Sequence, residues 1–439
     1  MGHFRRLESG VLAEMGLLLI ASPFLLFPTV FLAGTVAALT AVGLIWLGRG
    51  WKTGRFLPVT PVNLALFFWL LAVLVGTLVS ADPELTLPKL TGLLLGVTLW
   101  RMLVVRVRTK AQLVTAVMLF LLAAAALIIV GSLSLDWRAK LPFVSSLVAR
   151  LPQAWLSLPE SSPGGVQANQ LAGTLVLSWP LSLALTLWGW PSLSDQYPLL
   201  RRAGRILALA LAGGGAVLLL LTQSRLGWVG GLAGVGGLFW LNWARKQTWP
   251  RVRFWLLGTV GGTVSLIGMM PVMQRWVMSQ AVPGTTSPLE TVAYRFEVWG
   301  YALEAIGNFP LTGTGLGTFR QVVLRLYPMT VFPNPDVSHA HNVFLQVALD
   351  TGLPGLIAYL ALLGLVLVVG WRWISQSPAN EVGMAVGVLA CLLAFHLFGL
   401  GDTIAPGAKP GLLFWWLVGL VTASVGAMRE PSASPTRAT

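Results

Sequence analysis

The sequence predicts an all-α, polytopic membrane protein, and three observations carry that prediction. Of 439 residues, 56% are hydrophobic and only 10% charged, whereas soluble chains carry about a quarter charged residues. Apolar runs of roughly twenty residues recur from end to end, each long enough to cross a hydrocarbon core of about 30 Å. Basic residues cluster between these runs: Arg49, Lys52, Arg55; Arg106, Arg108, Lys110; Arg201, Arg202, Arg205; Arg245, Lys246, Arg251, Arg253. Alternate connections are poor in them, which is the positive-inside pattern. In lipid such runs must be helices, because only helices satisfy their own backbone hydrogen bonds there.

About twelve spans are expected, near 11–29, 31–47, 61–80, 87–105, 112–132, 169–189, 206–223, 226–243, 254–272, 353–371, 382–400 and 410–427. Trp and Tyr flank many of them, as interfacial anchors do. The first run follows Arg5 and Arg6; it is too long for a signal peptide, lacks a small-x-small cleavage site and reads as a retained span. An even number of spans with a basic start puts both termini in the cytoplasm. The Asp82–Glu84 turn, 133–168, the Ser224-Arg225 turn, 273–352 and the Asp402–Lys409 turn then face outside. Residues 1–430 form one integral membrane domain, and the polar tail 431–439 is expected to be disordered and cytoplasmic. No internal repeat is visible, so the inverted halves of secondary transporters find no support.

A net charge of +14 raises nucleic acid as a partner, but no basic face is interleaved with stacking aromatics. The lone Cys391 lies in an apolar run and excludes a disulfide within the chain.

The loop 273–352 is too long to be structureless. Val292, Phe296, Trp299, Leu303 and Ile306 form a stripe at the helical period, with Glu297, Tyr301 and Glu304 opposite and Arg295 at the edge. An amphipathic helix over the mouth of the bundle is expected. The following Pro310-Leu-Thr-Gly-Thr-Gly-Leu-Gly317 has no strand before it, which removes the dinucleotide reading. Gly313 and Gly315 suit an anion-holding backbone nest or a plain flexible turn. The apolar run after His341 is too long for one straight span, and Gly352-Leu-Pro-Gly355 divides it. A short helix from Asn342 to Thr351 would put His341 at or just before a helix start.

Charge is scarce on the outer side, so the residues that bear it are candidates. Arg225 sits between two apolar runs with almost no loop; it is either a snorkelling interfacial arginine or a ligand-binding one. Arg295 either pairs with Glu297 or lipid headgroups, or binds an anion. Guanidinium groups grip phosphate through two charge-assisted hydrogen bonds, and two of them would clamp a pyrophosphate. His339 and His341 can take a proton from a hydroxyl near neutral pH, or serve as surface and cap residues. Two histidines at i, i+2 do not supply a tetrahedral zinc set, and the scattered carboxylates do not suit magnesium. Asp402 could orient a histidine, pair with an arginine or cap a helix. Asn169 begins the sixth span, where N-capping would account for it.

His341-Asn342, nine residues, then Gly352-Leu-Pro-Gly355 resembles the His-[Asn/Ser/Gln]-x9-Gly-x-x-[Gly/Thr/Tyr] signature of the O-antigen ligase family, whose O-antigen polymerase relatives share a related core. The Ser224-Arg225 step, the Arg295 helix and the glycine-rich segment stand in the same order as in that family, the strongest likeness covering about 205–371. The resemblance implies a metal-independent, cofactor-free glycosyltransferase with a GT-C-like helical fold in the bacterial inner membrane. It would move a glycan from undecaprenyl pyrophosphate to a hydroxyl of lipid A core or another glycolipid, with inversion, on the extracytoplasmic face. Carried over, Arg225 and Arg295 bind the pyrophosphate and His341 is the base. His339, Asn342, Asp402, Asn169, Gly313 and Gly315 are expected to contribute to substrate binding. The alternatives are a polysaccharide polymerase of the same family and a transporter of a lipid-linked sugar or small anion.

Overall fold

A computed structural model describes residues 15–54, 58–135, 150, 166–190, 198–248, 272–277, 279, 288–327 and 337–428. The span expected at 254–272, apart from its last residue, and the tail 431–439 lie outside the described residues. Among the described residues the regular elements are helices, with one isolated bridge between Leu135 and Val166. In order these are α1 (Met15–Leu26), α2 (Leu32–Thr53), α3 (Asn63–Leu78), α4 (Pro83–Arg106), α5 (Lys110–Leu133), α6 (Ala168–Val176) and α7 (Trp179–Trp188). Then come α8 (Pro198–Leu221), α9 (Arg225–Ala244), α10 (Pro288–Asn308), α11 (Phe319–Leu326), α12 (Val343–Gln376), α13 (Val382–Phe398) and α14 (Gly411–Ala427). Six described segments are long and apolar enough to cross a membrane: α2, α4, α5, α6 with α7, α8 and α12; α1, α3, α13 and α14 are shorter apolar helices. The chain is an all-α polytopic membrane protein.

The sequence starts these helices with side-chain caps. Asp82 accepts from the N–H groups of Glu84 (3.1 Å) and Leu85 (3.2 Å) to open α4, with Pro83 at the first helical position. Thr109 and Gln112 form a reciprocal capping box at the start of α5. The third helix shows two apolar faces. In α3, Ala65, Leu66, Trp69 and Val73 are buried while Leu64, Phe67, Phe68 and Leu71 stay exposed. An exposed apolar face on a buried helix suits lipid.

The core brings α4 against α14, α3 against α12, and α7 and α9 against α13. At the end of the bundle where α5 begins, Lys110 pairs with Glu381, and Arg245 donates to Ser377 O at 3.2 Å. The start of α9, the start of α12 and the end of α13 meet at the opposite end.

The structure differs from the sequence reading in two elements. The span expected as one helix at 169–189 breaks at Leu177-Ser178 into α6 and α7. Pro180 lacks an N–H, and its ring clashes with the carbonyl four residues back. In α10 Phe296 and Ile306 of the expected stripe are buried, but so are Ala293, Val298, Ala302 and Ala305 off it, while Leu303 of the stripe is 61% exposed. The buried surface is therefore wider than the stripe and includes a row of small residues beside it. Its small side chains let α10 pack closely on α12, in a second core with Phe319, Val323, Ala340 and Leu349.

Candidate active site

Two capped helix starts place the candidate residues. Ser224 Oγ accepts the Gly227 N–H at 3.1 Å, so α9 opens with Arg225 as its first residue. Asn342 Oδ1 accepts from Phe344 (2.9 Å) and Leu345 (3.1 Å), which opens α12 immediately after His341. The Asn342 Nδ2 donates to Leu400 O at 3.1 Å, and Val343 N–H donates to Gly399 O at 2.7 Å. These bonds fasten the start of α12 to the end of α13 and so bring His341 beside Asp402. Gly352, with φ +70°, bends α12 where the sequence places the division.

His339 and His341 form a tight turn with ring centroids 4.2 Å apart. His341 has φ +48°, a left-handed conformation that non-glycine residues seldom adopt. Its N–H donates to His339 Nδ1 at 3.2 Å. Because that nitrogen accepts, the hydrogen-bond network assigns the His339 proton to Nε2, which stands 3.6 Å from Asp402 Oδ1. His341 Nδ1 lies 3.7 Å from the same oxygen and is a buried atom with no hydrogen-bond partner among the described residues. That separation is too long for a hydrogen bond, yet the carboxylate favours a proton on Nδ1 and leaves Nε2 with its lone pair. Asp402 is itself 3% exposed and held by the Thr403 N–H (2.7 Å) and by Asn169 Nδ2 (2.5 Å).

The charges fit this arrangement. Burial holds the His339 pKa down to about 3; His341 adds to that, Asp402 opposes it, and Lys89 and Arg295 add further. For Asp402 burial raises the pKa, but the His341 imidazole, His339 and the Thr403 N–H together outweigh it and the net direction is down. At neutral pH the turn therefore holds a neutral His339 against an ionised Asp402. Arg295 is partly buried, and its Nε has no hydrogen-bond partner among the described residues. Burial lowers its pKa, the charge of Asp402 opposes that and the charge of Arg225 adds to it, so all three share one electrostatic environment. Tyr294, the neighbour of Arg295 on α10, sets its ring edge-on to His341 with centroids 5.7 Å apart.

Residues 207–360 match the family model described as O-antigen ligase. Over that segment, about a third of its length, the chain is similar to the O-antigen ligase family. The match supports a membrane enzyme of the ligase or polymerase type. No curated protein sequence matches it. The matched ligase segment contains Arg225, Arg295, His339 and His341, whereas Asn169 and Asp402 lie outside it and reach the site only through the fold.

Within the candidate site several residues expected to contact substrate also make bonds inside the protein. Both ends of the Asn342 amide are committed to backbone partners. Asn169 does not cap α6, whose N-cap is Gln167; it holds Asp402. Gly313 and Gly315 have φ +67° and +100°, but their segment is neither an open nest nor a free turn. Gly313 N–H donates to Phe309 O (2.9 Å), Thr314 N–H to Leu349 O (2.7 Å), Leu316 N–H to Gly76 O (2.8 Å) and Gly317 N–H to Asp350 Oδ1 (2.9 Å). The segment clamps α3 to α12. His396 is bonded within the bundle, to Tyr359 Oη at 3.0 Å and Leu392 O at 2.7 Å.

His339, His341 and Asp402 offer three ligand atoms within 4.8 Å of one another. A metal on His339 Nε2 would require a proton on Nδ1, where the His341 N–H already points. The turn thus holds the tautomer that cannot ligate, and the set does not fit a resident metal.

Sequence reasoning overlooked Lys89, whose charge reaches His339, and the pair Gln346 and Asp350 inside the histidine signature. The signal was present: two polar residues at i, i+4 in an apolar helix, and one lysine in the first turns of an apolar span.

Proposed function

We propose that this chain is an O-antigen ligase-type glycosyltransferase that transfers a glycan from undecaprenyl pyrophosphate to a hydroxyl of lipid A core or a related glycolipid. The reaction takes place on the outer face of the bacterial inner membrane, with both termini in the cytoplasm. The observation that carries this reading is the arrangement of His341 Nδ1 toward Asp402, with Arg295 and Arg225 in the same electrostatic environment.

His341 Nε2 accepts the proton of the acceptor hydroxyl, and Asp402 stabilises the resulting imidazolium through Nδ1. The freed oxygen forms a bond to the anomeric carbon as the bond from that carbon to the phosphate oxygen breaks, which inverts the centre. The electron pair leaves on the pyrophosphate, where Arg225 and Arg295 stabilise the growing charge. The proton then passes to water. The sugar–pyrophosphate bond is already activated, so no nucleotide is consumed. The base role is given to His341 over His339 because His339 Nδ1 accepts from the backbone, which supports a proton on its Nε2.

The test is transfer by the purified protein in detergent, with an undecaprenyl-pyrophosphate oligosaccharide as donor and lipid A core as acceptor. Wild type should make product without a sealed membrane, which a transporter would need. His341→Ala should abolish transfer at an unchanged melting temperature. Full transfer by that variant, or none by wild type with any glycolipid acceptor, would reject the proposal.

A further inference from the structure

We propose that Gln346 and Asp350 are positioning residues that set the histidine turn from beneath, in a relay running from the glycine-rich segment to the base. This inference rests on the assignment of His341 as the base. The Ala340 N–H, between the two histidines, donates to Gln346 Oε1 at 2.9 Å. Gln346 Nε2 donates to Asp350 Oδ1 at 2.9 Å, one turn further along α12. The same oxygen accepts the Gly317 N–H at 2.9 Å and faces Lys89 Nζ at 3.8 Å. Gln346 is 1% exposed, Asp350 6% and Ala340 fully buried.

The logic is one of forced orientation. The Gln346 amide has one partner on each side, and the Asp350 carboxylate offers only acceptors. Asp350 therefore forces the Gln346 amide to point Nε2 toward it and Oε1 toward Ala340. That oxygen pins the N–H between the two histidines and holds His341 in its left-handed backbone. The left-handed conformation in turn aims the His341 N–H at His339 Nδ1, which fixes the tautomer facing Asp402. Lys89 on α4 balances the buried charge and ties the relay to a second helix. None of these side chains contacts Asp402, so the relay acts through the backbone.

Gln346→Leu keeps the volume and removes both bonds. Its kcat should fall about 100-fold, the loss expected from a misplacement of about 1 Å, with KM for donor and acceptor unchanged. A second readout needs no substrate. In protein labelled with 15N-histidine, wild type should show His339 as the fixed Nε2–H tautomer, and Gln346→Leu should show a mixture. A polarity swap guards against a simple folding defect. Gln346→Glu alone puts two carboxylates together and should be inactive. Combined with Asp350→Asn it restores a donor and an acceptor in the reverse sense, and kcat should recover to within about tenfold of wild type. Full kcat in Gln346→Leu, an unchanged histidine spectrum, or a double variant as impaired as the single would overturn the relay. The spectrum also separates this inference from the base assignment. If His341→Ala still transferred glycan, the base would be wrong while the tautomer lock could stand.

Discussion

His341 Nδ1 and Asp402 Oδ1 face each other across 3.7 Å, one at the start of α12 and the other just beyond the end of α13. On the proposed mechanism the carboxylate favours the imidazole tautomer that leaves Nε2 free to accept a proton. In Asp402→Asn the amide retains shape and burial but can offer an N–H to Nδ1, which stabilises the opposite tautomer. Transfer should drop by about 10³- to 10⁴-fold, as in triads where the buried carboxylate is neutralised, while donor binding persists. Transfer in Asp402→Asn within tenfold of wild type would show that the carboxylate does not orient the base.

The two arginines should respond differently to lysine. Arg225 is exposed at the first position of α9 and can act as a point charge. Arg295 is partly buried, with an Nε that has no partner among the described residues, so it depends on the planar fork that lysine lacks. Arg295→Lys should cost at least about tenfold more in kcat/KM than Arg225→Lys, and alanine at either position should abolish activity. Equal losses in the two lysine variants would remove the distinction.

Acid should destabilise the protein through His339. Its folded pKa is held at about 3 while the unfolded side chain titrates near 6.5. The unfolded chain binds the proton first. The stabilising contribution is therefore complete above about pH 6.5 and is lost as pH falls from there toward 3. Asp402, whose pKa is lowered, adds a loss in the same direction at still lower pH. The melting temperature in detergent should fall between about pH 7 and pH 5 in wild type and fall less in His339→Asn, which can still accept the His341 N–H. Parallel melting curves for the two proteins would contradict the burial of a neutral His339.

The glycine-rich segment should tolerate no side chain at Gly313. A Cβ there would lie 2.2 Å from Leu349 O, at a φ of +67°. Gly313→Ala should destabilise by at least about 1–3 kcal/mol from the backbone strain alone, read as a lower melting temperature with loss of transfer in proportion to the unfolded fraction. A stable variant with impaired donor binding would instead revive the anion-nest reading.

Much of this was legible in the sequence. The turn at Ser224-Arg225, the start of α12 at Asn342-Val343 and the break at Gly352 follow from local rules of capping, hydrophobic length and backbone freedom. Those rules act over a few residues, so the order of residues is enough to apply them. The broken span at Leu177-Ser178 was also within reach, since Pro180 is in plain view. The full buried surface of α10 was not. Hydrophobicity ranks Leu303 above Ala302, but close packing against α12 selects the smaller side chain and leaves the leucine outward.

By itself the sequence determined that this chain threads a membrane as helices, that Arg225 and a pair of histidines stand at helix starts, and that Arg295 lies on a helix between them. It could not choose between His339 and His341. That choice depends on which nitrogen meets the His341 N–H and which meets Asp402, and on Asn169, drawn from yet another helix to hold the carboxylate. These are bonds between residues far apart in the chain, and only the packed bundle brings them to within a few ångströms. Helix formation is a local free-energy decision, whereas tautomer and charge are decided by the partners that tertiary packing supplies.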